Sequence, residues 1–183
     1  MKRILLLTSA VSLVVAGAVL ALAETAGTQV KRGEYLVTIA SCHDCHTPLA
    51  MGPSGPAPDM KRALSGHPQD APVTAPAAVP EPWMGALSPT LTAWSGPWGV
   101  SFTANLTPDA ETGVLRDFTE QQFIQTMRTG RHQGQGRQIL PPMPWPFIGQ
   151  MTDDDLKAVF AYLRQIPAVK NRVPDPIPPA ARG

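Results

Sequence analysis

Cys42-His43-Asp44-Cys45-His46 constrains this chain more than any other stretch. Two thiols two residues apart, with an imidazole directly after the second, match the C-x-x-C-H spacing through which a chain holds haem covalently. The chemistry accounts for the spacing. Each thiol adds across one of the porphyrin's two vinyl groups, and the adjacent imidazole reaches the iron. On a helix, Cys42, Cys45 and His46 stand at i, i+3 and i+4 and so project from one face. His43 and Asp44 are spacers, expected to be exposed. A chain tied in this way folds around a large, flat, mostly apolar plate.

The rest of the chain limits what can surround that plate. With 183 residues there is room for one ordinary domain and too little for two. Lys2 and Arg3, the apolar run from Ile4 to Leu20 and the Ala21-Leu22-Ala23 ending read as a signal peptide over residues 1–23. Cleavage is expected after Ala23, with the mature, periplasmic protein beginning at Glu24. The competing reading is a retained anchor, because the apolar run is near the lower limit for a span; only then is a membrane expected as a partner. Loss of the leader removes two cations and no acid, taking the formal charge from +1 to −1. With that balance and no basic stripe, nucleic acid is not an expected partner. An exported chain with two cysteines ordinarily forms one disulfide. Here their spacing assigns both thiols to haem instead.

Three segments read as helices. Gln29 to Ser41 carries Val30, Leu36, Val37 and Ile39 and runs straight into the cysteines. Thr119 to Thr129 opens on a Thr119/Gln122 capping box, carries Phe123, Ile124 and Met127 on one face, and meets Gly130 as its C-cap. Asp153 to about Gln165 is capped by Thr152, has three aspartates at the positive end of its dipole, and is stopped by Pro167. Its Leu156, Val159, Phe160 and Leu163 recur at i, i+3, i+4 and i+7. Residues 47–118 contain no long periodic segment; prolines and glycines dominate, and a loop of that length usually signals function or disorder. The expected division is a haem domain over 24–166 with an extended loop at 47–118, then a Pro-rich tail over 167–183, extended on the surface or loose.

An attached haem needs a ligand on each side of its iron. His46 supplies one. Among Met51, Met60, Met84, Met127, Met143 and Met151, with His43, His67 and His132, Met143 is preferred as the distal ligand. It sits in Leu140-Pro141-Pro142-Met143-Pro144, where prolines keep the backbone extended and rigid. Met127 and Met151 suit core filling better. His132 is the second candidate and His67 the third. Trp145, two residues past Met143, is the preferred aromatic wall of the haem, ahead of Trp83, Trp94 and Trp98. The Trp83–Trp98 loop also suits an apolar docking patch. Arg131 and His132 are in reach of a haem propionate or of solvent.

In its order of motifs the chain resembles a single-domain c-type cytochrome of the His/Met type. The resemblance rests on Gly33-Glu34-Tyr35-Leu36, the cysteine motif, Asn105-Leu106-Thr107-Pro108-Asp109, Glu111-Thr112-Gly113, Arg128-Thr129-Gly130, Met143-Pro144 and Ala161-Tyr162-Leu163-Arg164. It is similar to the haem domains in cytochrome subunits of periplasmic alcohol and aldehyde dehydrogenases, with one haem motif where those subunits commonly carry several. The resemblance implies an all-α, cytochrome c-like fold in which the N- and C-terminal helices cross around the covalent haem, with long Pro/Gly-rich loops. It implies close approach at Gly33, with Tyr35 and Tyr162 nearby, and packing of Asn105 to Asp109 beside the haem. The chain departs from those relatives at Val114 to Phe118 and in an expanded region from His67 to Trp98.

The cofactor expected is therefore one covalent haem c held by Cys42, Cys45, His46 and Met143, with Asn105 and Trp145 beside it. An iron with both axial positions filled by protein has no open site for substrate, and no catalytic group stands out nearby. One-electron carriage follows, with a redox protein such as a periplasmic dehydrogenase subunit as partner, passing electrons towards the respiratory chain. Two alternatives remain open: a haem enzyme or gas sensor with a displaceable distal ligand, and a thiol redox protein using the C-x-x-C pair. The second lacks a βαβ pattern, and a metal site lacks a second pair of ligand-spaced cysteines.

Overall fold

The computed structural model describes residues 26–75, 77 and 79–179. The expected leader and its cleavage site lie outside the described residues. Five helices are seen among the described residues: α1 over 26–39, α2 Cys42–His46, α3 Glu120–Thr129, α4 Trp145–Ile148 and α5 Asp153–Leu163. Ser41 lies in the left-handed region at φ 57°, so the first segment does not run unbroken into the cysteines. It stops, turns and restarts as the one-turn helix α2.

The caps of α3 and α5 form as their sequences dictate. The Gln122 N–H donates to Thr119 Oγ1 at 3.2 Å while the Thr119 N–H donates to Gln122 Oε1 at 2.9 Å. Gly130 ends α3 at φ 65°. Thr152 Oγ1 accepts from the Asp155 N–H at 3.1 Å to open α5. Leu36 and Val37 of α1, Phe123, Ile124 and Met127 of α3, and Leu156, Val159 and Leu163 of α5 meet in one buried cluster. That cluster is the core, and it holds three helices against each other by apolar burial.

The approach of α1 to α5 depends on Gly33. A methyl group there would stand 2.7 Å from Tyr162 Cβ and press into the Ala158 carbonyl. Arg32 donates to Asp155 across the same contact at 2.9 Å. Arg32 is half exposed, so this pair orients the helices more than it stabilises them. Tyr162 lies at the contact, whereas Tyr35 is largely exposed beneath the Arg32 guanidinium.

The all-α expectation is wrong. Residues 49–102 build two antiparallel sheets, one of β1 (Leu49–Gly52) with β2 (Gly55–Pro58), the other of β3 (Ala86–Leu87), β4 (Ala93–Gly96) and β5 (Gly99–Phe102). Each strand has only two to four residues, too few for an alternating pattern to emerge. Pro56 and Pro58 also argue against a strand, yet in a two-stranded ribbon every strand is an edge and tolerates a missing N–H. The prolines and glycines that read as structureless loop are thus hairpin material.

The tail from 167 to 179 is extended and firmly tied. Val100 and Ile177 exchange both backbone hydrogen bonds, at 2.8 and 3.0 Å, along the free edge of β5. Gly99, at φ 92°, leaves the space that Ile177 and Pro178 occupy. Asn171 is buried and donates through Nδ2 to the carbonyls of Ser65 at 2.7 Å and His67 at 2.9 Å.

Gly33→Ala adds about 1 kcal/mol of helix propensity, yet its methyl group overpacks the α1–α5 contact. Set against that gain, an overpacking cost of about 1–3 kcal/mol leaves a net loss of up to about 2 kcal/mol in urea unfolding. Gly27→Ala, on the same helix with open space around it, should show no loss.

Candidate cofactor site

α2 is short, and the turn at residues 64–67 sets its position. The His46 carbonyl accepts from the Gly66 N–H at 2.8 Å, and the Thr47 hydroxyl accepts from the Leu64 N–H at 2.9 Å. These bonds fix one face of α2 over an apolar cavity of about 380 Å³. Cys42, Cys45 and His46 all line it. Facing them are Phe102, Leu106, Phe118, Phe123 and Leu163, from β5, α3, α5 and the loops between.

His46 is the most constrained polar group there. It is 8% exposed, and its Nδ1 lies 2.8 Å from the Ala104 carbonyl oxygen. A carbonyl only accepts, so Nδ1 carries the proton and Nε2 keeps its lone pair. Burial is the main reason its imidazole is held below the ordinary range, with the Ala104 bond opposing. The ring is therefore neutral and in the tautomer suited to binding a metal through Nε2. Burial likewise pushes the Cys42 thiol up to about 11, and Cys45 in the same direction. That is the reverse of the lowered thiol found in disulfide-exchange pairs.

Met143 lines the same cavity. The Ser101 hydroxyl donates to the Pro141 carbonyl, tying the segment Leu140–Pro144 to β5. The Arg128 guanidinium reaches the Gly149 carbonyl and pairs with Asp153 at 2.6 Å, so α3 also holds the far end of α4. Two other candidates share the cavity: Met127, 8% exposed within the core cluster, and His132, whose ring meets Phe118 edge-on at 5.0 Å. The remaining candidates are elsewhere. Met51, Met60 and Met84 are exposed, Met151 packs on the core, and His43 bonds to Thr47 at 2.8 Å. His67 is fully buried with both nitrogens engaged, Nε2 donating to the Ala71 carbonyl at 2.8 Å and Nδ1 accepting from the Thr92 hydroxyl at 2.9 Å.

Asn105 and Trp145 stand behind the walls of the cavity. Asn105 is buried, accepts from the Thr107 N–H at 3.0 Å and hydroxyl at 2.7 Å, and donates to the Val169 carbonyl at 2.9 Å. It borders a neighbouring polar pocket. The Trp145 indole packs against Gly130, where any side chain would collide with it. The Ala104 carbonyl and the Ser101 hydroxyl were missed by sequence reasoning, and no side-chain pattern points to either. Only their nearness to Asn105 in the chain gives a hint.

The donor set fits haem. Two thiols and an imidazole on one helical face, an apolar enclosure, and a thioether in the same enclosure are what a covalently attached iron porphyrin requires. Trp94, outside the cavity lining, is a neighbouring aromatic. Its Nε1 is buried and has no hydrogen-bond partner among the described residues. It sits opposite Ser101 in the β4–β5 register, and Ser101 lines the cavity.

Known proteins point the same way. The cytochrome c subunit of the quinone-dependent alcohol dehydrogenase of Gluconobacter oxydans is 28% identical over 149 residues, 80% of this chain and 24% of that protein. The cytochrome c subunit of gluconate 2-dehydrogenase from Pantoea cypripedii is 29% identical over 73% of this chain and 22% of its own length. The cytochrome subunit of fructose dehydrogenase from Gluconobacter japonicus is 26% identical over 80% of this chain and 24% of its own. This chain resembles a cytochrome c. It spans about a quarter of the length of the curated relatives it matches. No family model matches it.

Burial holds the His67 imidazole below the ordinary range, against the Ala71 hydrogen bond and the Asp70 charge, which favour the protonated form. Between that lowered value and about 6.5, the unfolded chain binds the extra proton, so stability rises with pH across this window and falls on acidification. The unfolding free energy of wild type, from urea titrations run downward from about pH 7, should fall by up to about 1.4 kcal/mol per pH unit from this group. His67→Gln should be less stable at neutral pH but show a shallower acid slope; identical slopes would contradict the assignment.

Proposed function

We propose that this protein is a one-electron carrier holding a single covalent haem c, with His46 and Met143 as the axial ligands. The observation that carries the reading is the convergence of Cys42, Cys45, His46 and Met143 on one apolar cavity. When bound, the haem supplies an iron that cycles between ferric and ferrous states. The chain's own work is to fix, enclose and tune it. Cys42 and Cys45 anchor the porphyrin at its vinyl carbons. The Ala104 carbonyl holds the His46 ring in one tautomer and one orientation, so Nε2 would meet an iron without the ring having to turn. The prolines around Met143 present a thioether at little ordering cost. Phe102, Phe118 and Phe123 exclude water. A sulfur ligand and an apolar surround both raise the reduction potential.

An iron with both axial positions filled transfers electrons and does not bind substrate. The resemblance to cytochrome subunits of dehydrogenases supports a dehydrogenase as donor, with onward passage towards a respiratory chain. The leader at residues 1–23 supports export to the periplasm, where c-type attachment takes place, with Glu24 as the mature N-terminus. The haem domain spans 24–166, and the tail from 167 follows it.

The purified protein should keep its red colour through acid-acetone extraction, and replacing both Cys42 and Cys45 with alanine should abolish that retention. The oxidised wild type should show a sulfur-to-iron charge-transfer band. Met143→Ala should lose the band, lower the midpoint potential and let the ferrous protein bind carbon monoxide at neutral pH. Survival of the band in Met143→Ala would sink the ligand assignment, with Met127 the next sulfur in the same cavity. An unchanged spectrum in Met143→Ala together with a changed one in His132→Ala would transfer the role to His132.

A further inference from the structure

A second, polar cavity of about 240 Å³ adjoins the apolar one and shares Phe102, Ala104, Val114, Arg137 and Pro176 with it. Its other walls bring in Arg116 and Arg172, with Glu111 and Asp175 as the acids. We propose that this arginine pocket receives the two carboxylates on the acidic edge of the haem, with Arg137 and Arg172 as their partners and the C-terminal tail as the wall that carries Arg172 there. The proposal rests on the reading that the apolar cavity holds haem.

Charge accounting selects those two arginines. Glu111 is already paired with Lys170 at 2.8 Å, and Arg116 with Asp117 at 3.0 Å. Arg116 also donates to the Gly113 carbonyl at 3.2 Å. Among the described residues, neither Arg137 nor Arg172 has a carboxylate within ion-pair distance; Arg137 donates only a long bond, at 3.4 Å, to the adjacent Gln138 carbonyl. Arg131, the arginine nearest to His132 in sequence, is turned to the Gly136 carbonyl at 3.1 Å. The field of Arg137 and Arg116 reaches the apolar cavity itself. After burial, these two are the causes that hold the His132 imidazole below its ordinary range.

The tail holds Arg172 in place from both sides. The Arg172 N–H donates to Gln69 Oε1 at 3.0 Å, directly after the buried Asn171. Downstream, Ile177 is locked to Val100, and Pro174 and Pro176 stiffen the span between. Arg172 therefore starts from a fixed backbone. A porphyrin edge bearing two carboxylates is costly to enclose unless the carboxylates are paired, and a guanidinium matches a carboxylate in both charge and shape. An apolar cavity that opens on one side into guanidinium groups without a carboxylate partner has the polarity of that ligand: oil at the ring, a cationic majority at the acidic edge.

The test uses the full-length haem-bearing protein with Arg137→Gln, Arg172→Gln and the double variant, and Arg131→Gln as the control. Covalent haem is scored first, by staining of denatured protein, and midpoint potentials are then measured across pH. Removing a cation leaves negative charge near the iron, which favours the ferric state, so both single variants should show a lower potential at neutral pH. A carboxylate deprived of its cation protonates more readily, so the pH below which the potential climbs should move upward. The double variant should show the larger shift in both respects, and Arg131→Gln should overlay the wild type. Full covalent haem with potential–pH curves unchanged in Arg137→Gln and Arg172→Gln would overturn this proposal alone. Wild-type protein without covalent haem would overturn the reading beneath it as well.

Discussion

The hydrogen bond from His46 Nδ1 to the Ala104 carbonyl is the link on which the rest of the structure turns. It joins the cysteine helix to the segment that leaves β5, which stands 58 residues later in the chain. One end of that bond fixes the tautomer of a buried imidazole. The other fixes where the 99–106 segment runs, and that segment lines the cavity. Neighbouring backbone bonds reinforce it: Gly66 to the His46 carbonyl, His67 to the Thr103 carbonyl and Leu106 to the Leu64 carbonyl. The helix bearing the thiols, the 64–67 turn and the 103–106 strand-like stretch are thus one hydrogen-bonded unit. A site of this kind is preorganised because its supporting shell is backbone, which side-chain motion does not loosen.

Parts of this were legible in the sequence, and the reason differs from element to element. α3 and α5 were readable because each combines a cap, a periodic apolar face and a stop. The cysteine motif was readable because covalent chemistry demands one fixed spacing. Met143 stood out through the rigidity of the prolines around it, and it does line the cavity. The sheets were not readable. Strands of two to four residues carry no period, and their prolines and glycines look the same in a hairpin as in a loop. Trp145 was chosen for its nearness to Met143 in the chain; in the structure its ring packs on Gly130. Ala104 left no trace at all, because its contribution is a carbonyl that every residue possesses.

The region that looked least structured turns out to do much of the enclosing. Residues 47–118 supply Leu64, Val100 and Leu115 to the buried interior, along with Asn105, Thr107, Thr92 and His67 as satisfied polar groups. So many buried polar side chains are unusual for a loop, and each is matched to a backbone group or a hydroxyl. This is how a segment poor in helix and strand keeps one conformation: side chains supply the hydrogen bonds that regular ladders supply elsewhere.

The tail extends the same logic to the far side of the cavity. Asn105, Thr107, Thr112 and Asn171 interlock through Val169 and the carbonyls of Ser65 and His67, so the 64–67 turn, the 105–112 loop and the tail share one polar knot. Asn105, read from the sequence as a neighbour of the haem, joins the tail to the 105–112 loop. The knot adjoins the arginine pocket, which Asn105 and Thr112 line. Its position explains why residues behind the wall matter to what the wall encloses: each strand of the enclosure is held by a side-chain amide or hydroxyl that another strand provides.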